Sequence, residues 1–199
     1  MGMSKVLVMV GLVAALMAAT IGVASAQEVP DLCVSVNGVE RVQLGTATCS
    51  STASDRAANV ARASGDGAFA EAGLVAGDSG NRATATGDEA FALVGFGDNN
   101  TATATGDGAD ASAGDGDNNT ATATGDDADA SAFNGDNNTA TATGDFAFAS
   151  AAIGDNNTAT ATGDEAFAAA GAGDNNTATA TGACDAIALG DDQTKSCTA

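Results

Sequence analysis

The sequence predicts an all-β chain wound as a parallel β-solenoid, with two strands per 19-residue coil, a thin alanine core and capped ends. Three observations predict it. Asp-Asn-Asn recurs at Asp98, Asp117, Asp136, Asp155 and Asp174, each copy 19 residues after the last. Every copy contains two alternating stretches, Thr101-Ala102-Thr103-Ala104-Thr105 and the alanines Ala109, Ala111 and Ala113 in the first. Gly-Asp punctuates both stretches, as at Gly97-Asp98 and Gly106-Asp107. A fixed period of this length marks stacked units, and alternation between turn signals marks short strands.

Stacking places each strand about 4.8 Å from its copy and creates two parallel sheets that face each other across the coil. Parity then decides what lies inside. In the second strand, Ala90, Ala109, Ala128, Ala147 and Ala166 form a uniform column. The next column reads Phe91, Asp110, Asp129, Phe148 and Phe167, which no single buried slot accommodates. Alanine therefore points in. By the same rule Ala102 and Ala104 point in and the threonines point out. Two asparagine columns at the turn, beginning at Asn99 and Asn100, are expected to add amide ladders.

The array starts before its clean copies. Asn81 to Asp88 is a degenerate unit, and Asn59 to Asp66 precedes it by 22 residues, which implies a three-residue insertion. Val34-Ser35-Val36 and Val39 to Val42 flank Asn37-Gly38 and read as a hairpin. The expected organisation is a signal peptide over 1–26, an N-terminal cap over 27–58, the solenoid over 59–182 and a C-terminal cap over 183–199.

The leader rests on Lys5, the apolar run from Val6 to Val23 and the small-x-small sequence Ala24-Ser25-Ala26 before Gln27. Its removal implies a secreted protein with no membrane association. The four cysteines lie outside the clean repeats, and Cys33 with Cys49 and Cys184 with Cys197 would staple the two ends. From Gln27 onward, all 26 acidic residues face five basic ones (Arg41, Arg56, Arg62, Arg82 and Lys195), a net charge of −21. Such a charge repels nucleic acid and anionic membranes. The chain has no His, so neither a Ser-His-Asp nor a Cys-His arrangement exists, and carboxylate pairs repeated in every coil read as architecture. A non-enzymatic role is expected.

The outward threonines carry the functional expectation. They are Thr84 and Thr86, then Thr101, Thr103 and Thr105, then Thr120, Thr122 and Thr124. Thr139, Thr141 and Thr143 follow, then Thr158, Thr160 and Thr162, and last Thr177, Thr179 and Thr181. On the opposite strand of the same repeats the outward positions drift: Gly108, Asp127, Phe146 and Glu165 share one column. Threonine is a good β-former, but that alone does not explain why other β-formers never replace it in the five clean copies. Spaced about 6.7 Å along a strand and about 4.8 Å between coils, the threonines form a regular array of stiff methyl–hydroxyl pairs. Such an array suits ordered water or a crystal surface.

Thr-x-Thr ranks over a small-residue core resemble the hyperactive antifreeze, or ice-binding, solenoids, and the Thr-Ala-Thr-Ala-Thr rows are most similar to their wide-faced class. The resemblance covers about Asn81 to Thr181 and implies ice as the partner. The 19-residue period is also similar to that of calcium-dependent ice-binding adhesin repeats, although their glycine-rich calcium nonapeptide is absent. Gly97-Asp98-Asn99-Asn100-Thr101-Ala102 resembles the Gly-x-x-Asn-x-Ala core of curlin repeats, without their regular glutamines. Trimeric adhesin heads share small-residue solenoid repeats, but neither a coiled-coil stalk nor an outer-membrane anchor follows here. These resemblances imply the competing reading, a structural or adhesive protein or the subunit of an amyloid-like fibre.

Two further features bear on partners. The columns beginning at Asp98 and Asp88 would stack carboxylates about 4.8 Å apart, where bridging Ca2+ would relieve repulsion. Splaying into solvent, or Asx-type bonds to turn amides, is the preferred expectation, and no cofactor is required. Phe91, Phe148 and Phe167 share an outward column with Phe146 nearby, which suggests self-association through that face or packing against the N-terminal cap.

Overall fold

The computed structural model describes residues 31–199, and the leader expected over 1–26 lies outside them. Two sheets face each other along the whole array. The first has ten strands in spatial order. It begins with β2 (Val39–Leu44), β1 (Leu32–Val36), β4 (Val60–Ser64) and β6 (Arg82–Thr86). It continues with β8 (Thr101–Thr105), β10 (Thr120–Thr124), β12 (Thr139–Thr143), β14 (Thr158–Thr162), β16 (Thr177–Thr181) and β18 (Thr194–Thr198). The second has eight strands. They are β3 (Thr48–Ser51), β5 (Phe69–Ala72), β7 (Phe91–Val94), β9 (Asp110–Gly114), β11 (Asp129–Phe133), β13 (Phe148–Ala152), β15 (Phe167–Gly171) and β17 (Asp185–Leu189). From β4 onward every neighbour in either sheet is parallel and each repeat residue lies opposite its own copy, as Thr122 lies opposite Thr141 and Ala130 opposite Ala149.

Alanine fills the interior. Ala102, Ala104, Ala109, Ala111 and Ala113 are all buried in one coil, and their copies are buried in the next. Between the ends, Val94 is the largest apolar side chain that is fully enclosed. An interior this shallow leaves no room for longer residues, so every variable side chain must leave through a face or a turn.

The turn before the threonine strand is held by buried amides. Asn59, Asn81, Asn100, Asn119, Asn138, Asn157 and Asn176 are each at most 1% exposed. The Asn100 Oδ1 accepts the backbone N–H of Asn119 at 2.8 Å, and the Asn119 Oδ1 accepts that of Asn138 at 2.9 Å. Meanwhile the Asn100 Nδ2 donates to the Gly116 carbonyl and the Asn119 Nδ2 to the Gly135 carbonyl, so each side chain ties its coil to the next. Buried polar groups need partners, and this ladder supplies them except at the Asn157 Nδ2, which is buried without one.

Only one of the two expected asparagine ladders forms. The column at Asn99, Asn118, Asn137, Asn156 and Asn175 instead takes the left-handed backbone conformation, with φ between 59° and 61°. Asparagine tolerates that region better than other residues with a side chain, so this column shapes the corner and its neighbour bonds the stack. At the opposite corner the backbone turns at Gly125 with φ of 126°, where a Cβ would lie 2.5 Å from the Gly144 carbonyl oxygen of the next coil. Successive turns there nest too closely for any side chain.

The coil before Asn81 takes its three extra residues between β5 and β6, where Asp78 and Ser79 are buried under the turn. At the start of the chain, β1 pairs antiparallel with both β2 and β4, so the hairpin reverses strand direction at that end. The Cys33–Cys49 disulfide links β1 to β3, one strand in each sheet. At the other end, Cys184–Cys197 ties the turn before β17 to β18.

The turn chemistry can be tested at adjacent positions. Asn119→Ala removes the acceptor for Asn138 and the donor for Gly135 inside a dry turn, and is expected to cost about 2–5 kcal/mol in urea denaturation. Asn118→Gly, one residue away, suits the left-handed corner and should leave the midpoint nearly unchanged. Separately, Cys184→Ser with Cys197→Ser opens a 13-residue link, which should cost about 3 kcal/mol and show as early loss of hydrogen-exchange protection in β17 and β18.

Candidate functional site

The ten-stranded sheet brings every expected threonine to one surface. Within β8, β10, β12, β14 and β16 the alanines are buried, the first two threonines are half-buried and the third is exposed. In-register pairing turns these into three straight columns, Thr101 to Thr177, Thr103 to Thr179 and Thr105 to Thr181. Among the described residues, no hydroxyl of these columns is hydrogen-bonded to another protein group, so each is free for an external partner. Thr84 and Thr86 of β6 continue two of the columns, while Arg82 occupies the third.

The surface extends further toward the C-terminus than the repeat period indicates. Thr194, Ser196 and Thr198 of β18 lie opposite Thr177, Thr179 and Thr181. The last coil advances by 17 residues instead of 19, which hides the match from a fixed-period search. The motif Thr194-Lys195-Ser196-Cys197-Thr198 is the signal that would have found it. Toward the N-terminus the threonines give way to Val60, Arg62 and Ser64, then to Leu32, Val34 and Val36 of β1.

Charge is kept off this face and gathered on its edges. Between Thr101 and Thr181 the three columns contain no ionisable group. The aspartates sit in the turns, where they neither splay freely nor close on their own turn. The Asp117 Oδ1 accepts the backbone N–H of Asp98 at 2.8 Å, and Asp136, Asp155 and Asp174 repeat the bond down the edge. At the other edge, the Asp107 Oδ1 accepts the N–H of Asp88, and Asp126, Asp145 and Asp164 continue the series. A carboxylate that receives an amide N–H from the previous coil is anchored without metal. That second edge borders an open acidic groove of about 460 Å3 lined by Asp66, Asp88, Glu89, Asp107, Asp126 and Asp127. Among the described residues, no group of three or more His, Cys, Asp or Glu side chains is arranged to hold a metal ion.

The eight-stranded face differs in character. Its leading outward column reads Phe69, Phe91, Asp110, Asp129, Phe148, Phe167, and its rings stack in two pairs with centroids 5.0 Å apart, Phe69 on Phe91 and Phe148 on Phe167. The two carboxylates between the stacks are partly desolvated, which raises the pKa of both. For Asp110 the neighbouring Asp129 charge raises it further, and hydrogen bonds from Ser112 and Ser131 pull the two carboxyls partway back. Farther along the strands, Leu74, Leu93, Phe96 and Phe133 wall a shallow groove of about 190 Å3 over Gly95 and Gly114.

A carboxyl with a raised folded-state pKa holds its proton to higher pH in the native state than in the unfolded one. Stability therefore falls as pH rises through that window, and the penalty stands at neutral pH. Asp110→Asn with Asp129→Asn should raise the melting temperature at neutral pH, and the gain should vanish in acid, as thermal melts across pH would show.

No family model matches the chain, and neither a curated protein nor a solved structure does. The candidate site therefore rests on geometry alone: an in-register, uncharged threonine array between two acidic edges.

Proposed function

We propose that this chain is a secreted, non-enzymatic ice-binding protein that adsorbs through the threonine columns of β8 to β16. One observation carries the reading, namely three in-register columns of threonines whose hydroxyls are unengaged on a surface without charge. Repeats of about 6.7 Å along the strands and about 4.8 Å between them follow from β geometry. Each threonine offers a methyl that excludes water and a hydroxyl that anchors it, on a stem with restricted χ1 freedom. A surface of this kind loses little side-chain entropy when it orders water into a lattice. The hydrogen-bonded edges support the reading because they hold the stack straight and keep carboxylates, which organise water differently, away from the face.

The N-terminal end also favours it over a fibre subunit. Growth by stacking needs an open parallel edge at each end, and here the ten-stranded sheet ends on the antiparallel β2 at the N-terminal end.

Ice growth in the presence of the purified protein, with and without calcium, tests the proposal. Wild type is expected to shape ice crystals, inhibit recrystallisation and produce thermal hysteresis in either condition. Thr122→Lys with Thr141→Lys and Thr160→Lys should abolish these effects at unchanged circular dichroism, whereas Ser131→Lys on the other face should retain them. A folded wild-type protein without any effect on ice rules the proposal out and leaves the adhesive or structural reading.

A further inference from the structure

The outward columns of the eight-stranded face have a symmetry that the repeat does not require. The central six positions of the leading column, Phe69, Phe91, Asp110, Asp129, Phe148 and Phe167, read the same in both directions about the midpoint between β9 and β11, and only the end positions, Thr48 and Asp185, differ. A second column, four residues along the strands, carries a complementary feature at the same midpoint. There Gly114 of β9 adjoins Phe133 of β11, and Gly95 and Ala152 flank them. Gly95 and Gly114 floor the 190 Å3 groove, and Phe133 stands at its end. A knob and a hole thus lie on opposite sides of the same line.

We propose that two copies of this chain pair through the eight-stranded face, about a twofold axis that runs along the strands between β9 and β11. This axis reverses coil order and preserves strand direction. It sets Phe91 against the partner's Phe148 and Phe69 against the partner's Phe167. It also seats each Phe133 over the other copy's Gly114, in the groove that glycine leaves open. A closed isologous interface needs this kind of self-complementarity, since every contact must be made twice. Eight strands at about 4.8 Å spacing, each roughly 17 Å long, offer about 600 Å2 per copy. The total of about 1,200 Å2 reaches the range of specific interfaces. The threonine faces then point outward on opposite sides of the dimer.

Charge sets the condition for pairing. The axis brings Asp110 against the partner's Asp129, twice. The side chains beside them are Phe91 and Leu93 on β7, Phe148 and Ser150 on β13, and Ser112 and Ser131 on their own strands, none of them cationic. The packed sheet behind them presents only alanine. Glu71 on β5 and Asp185 on β17 lie outward on the same face, and Asp127, Glu89 and Glu165 on one edge and Asp115 on the other lie at the strand ends, all of one sign. Pairing is therefore favoured by salt, which screens the edges, and by protonation of the central carboxyls.

Sedimentation velocity of the purified protein at neutral pH, in low and high salt, reads the association directly. Asp110→Asn with Asp129→Asn is expected to tighten the dimer about tenfold or more, because it removes two facing like-charge pairs. Phe133→Asp should leave a folded monomer in every condition, with circular dichroism reporting the fold. The register is tested in the background of that double Asp→Asn variant: Leu93→Cys and Ser150→Cys proteins, mixed and treated with a short bismaleimide, should cross-link to each other, and neither should cross-link alone. A double variant that stays monomeric at high concentration and high salt, a dimer indifferent to Phe133→Asp, or equal cross-linking without mixing overturns the proposal.

Discussion

The separation of the two sheets governs everything else in this molecule. The interior is one methyl deep from each side, and no larger apolar residue enters it between the ends except Val94. A core of that kind contributes little hydrophobic free energy per coil, because each buried methyl is worth only about 0.8 kcal/mol. The stack must therefore be held by bonds that run along it. Backbone ladders supply most of them, and the turns supply the rest through buried amides such as that of Asn100 and through edge carboxylates. Since the space between the strands of the two sheets is filled almost wholly by alanine, sequence variation goes outward.

Much of this was legible in the sequence because β geometry has a period of two. The column that mixes Phe91 with Asp110 could not be internal, and fixing that one column fixed the parity of the strand. The four cysteines lay near the ends of a regular array, and their pairing within each end is the one found. The asparagines were harder. Asn99 and Asn100 recur with the same period and chemistry, so periodicity cannot show that one is an αL corner and the other a buried ladder. Only the path of the backbone separates them. The edge carboxylates posed a similar problem, because an acceptor for the amide of the preceding coil is invisible to any reading of a single turn. Thr194 to Thr198 escaped because the last coil is two residues short.

The division of charge follows from the same geometry. The chain's carboxylates concentrate in the turns, where solvent reaches them and backbone N–H groups receive them. The threonine columns from Thr101 to Thr181 are left without charge. A highly acidic protein thus presents one uncharged, regular surface of threonines and one partly aromatic surface that carries Glu71, Asp110, Asp129 and Asp185. The acidic edges act at a distance of about 8–10 Å at moderate salt, which is enough to repel other copies from the sides while leaving the faces approachable.

Two side-chain ladders also carry opposite polarity along the stack. In the asparagine ladder a side-chain oxygen receives an N–H from the following coil, as Asn100 receives that of Asn119. In the aspartate edges a side-chain oxygen receives an N–H from the preceding coil, as Asp117 receives that of Asp98. Each ladder must therefore be terminated differently at the C-terminal end. There the Gln193 N–H donates to the Asn176 Oδ1 and completes the first ladder, while the Asp191 Oδ1 accepts the Asp174 N–H and completes the second. The aspartate is kept at that end as Asp191 and the asparagine is replaced by Gln193, and both bonds are made. The terminal coil thus continues both ladders by one step, and its disulfide holds it in place.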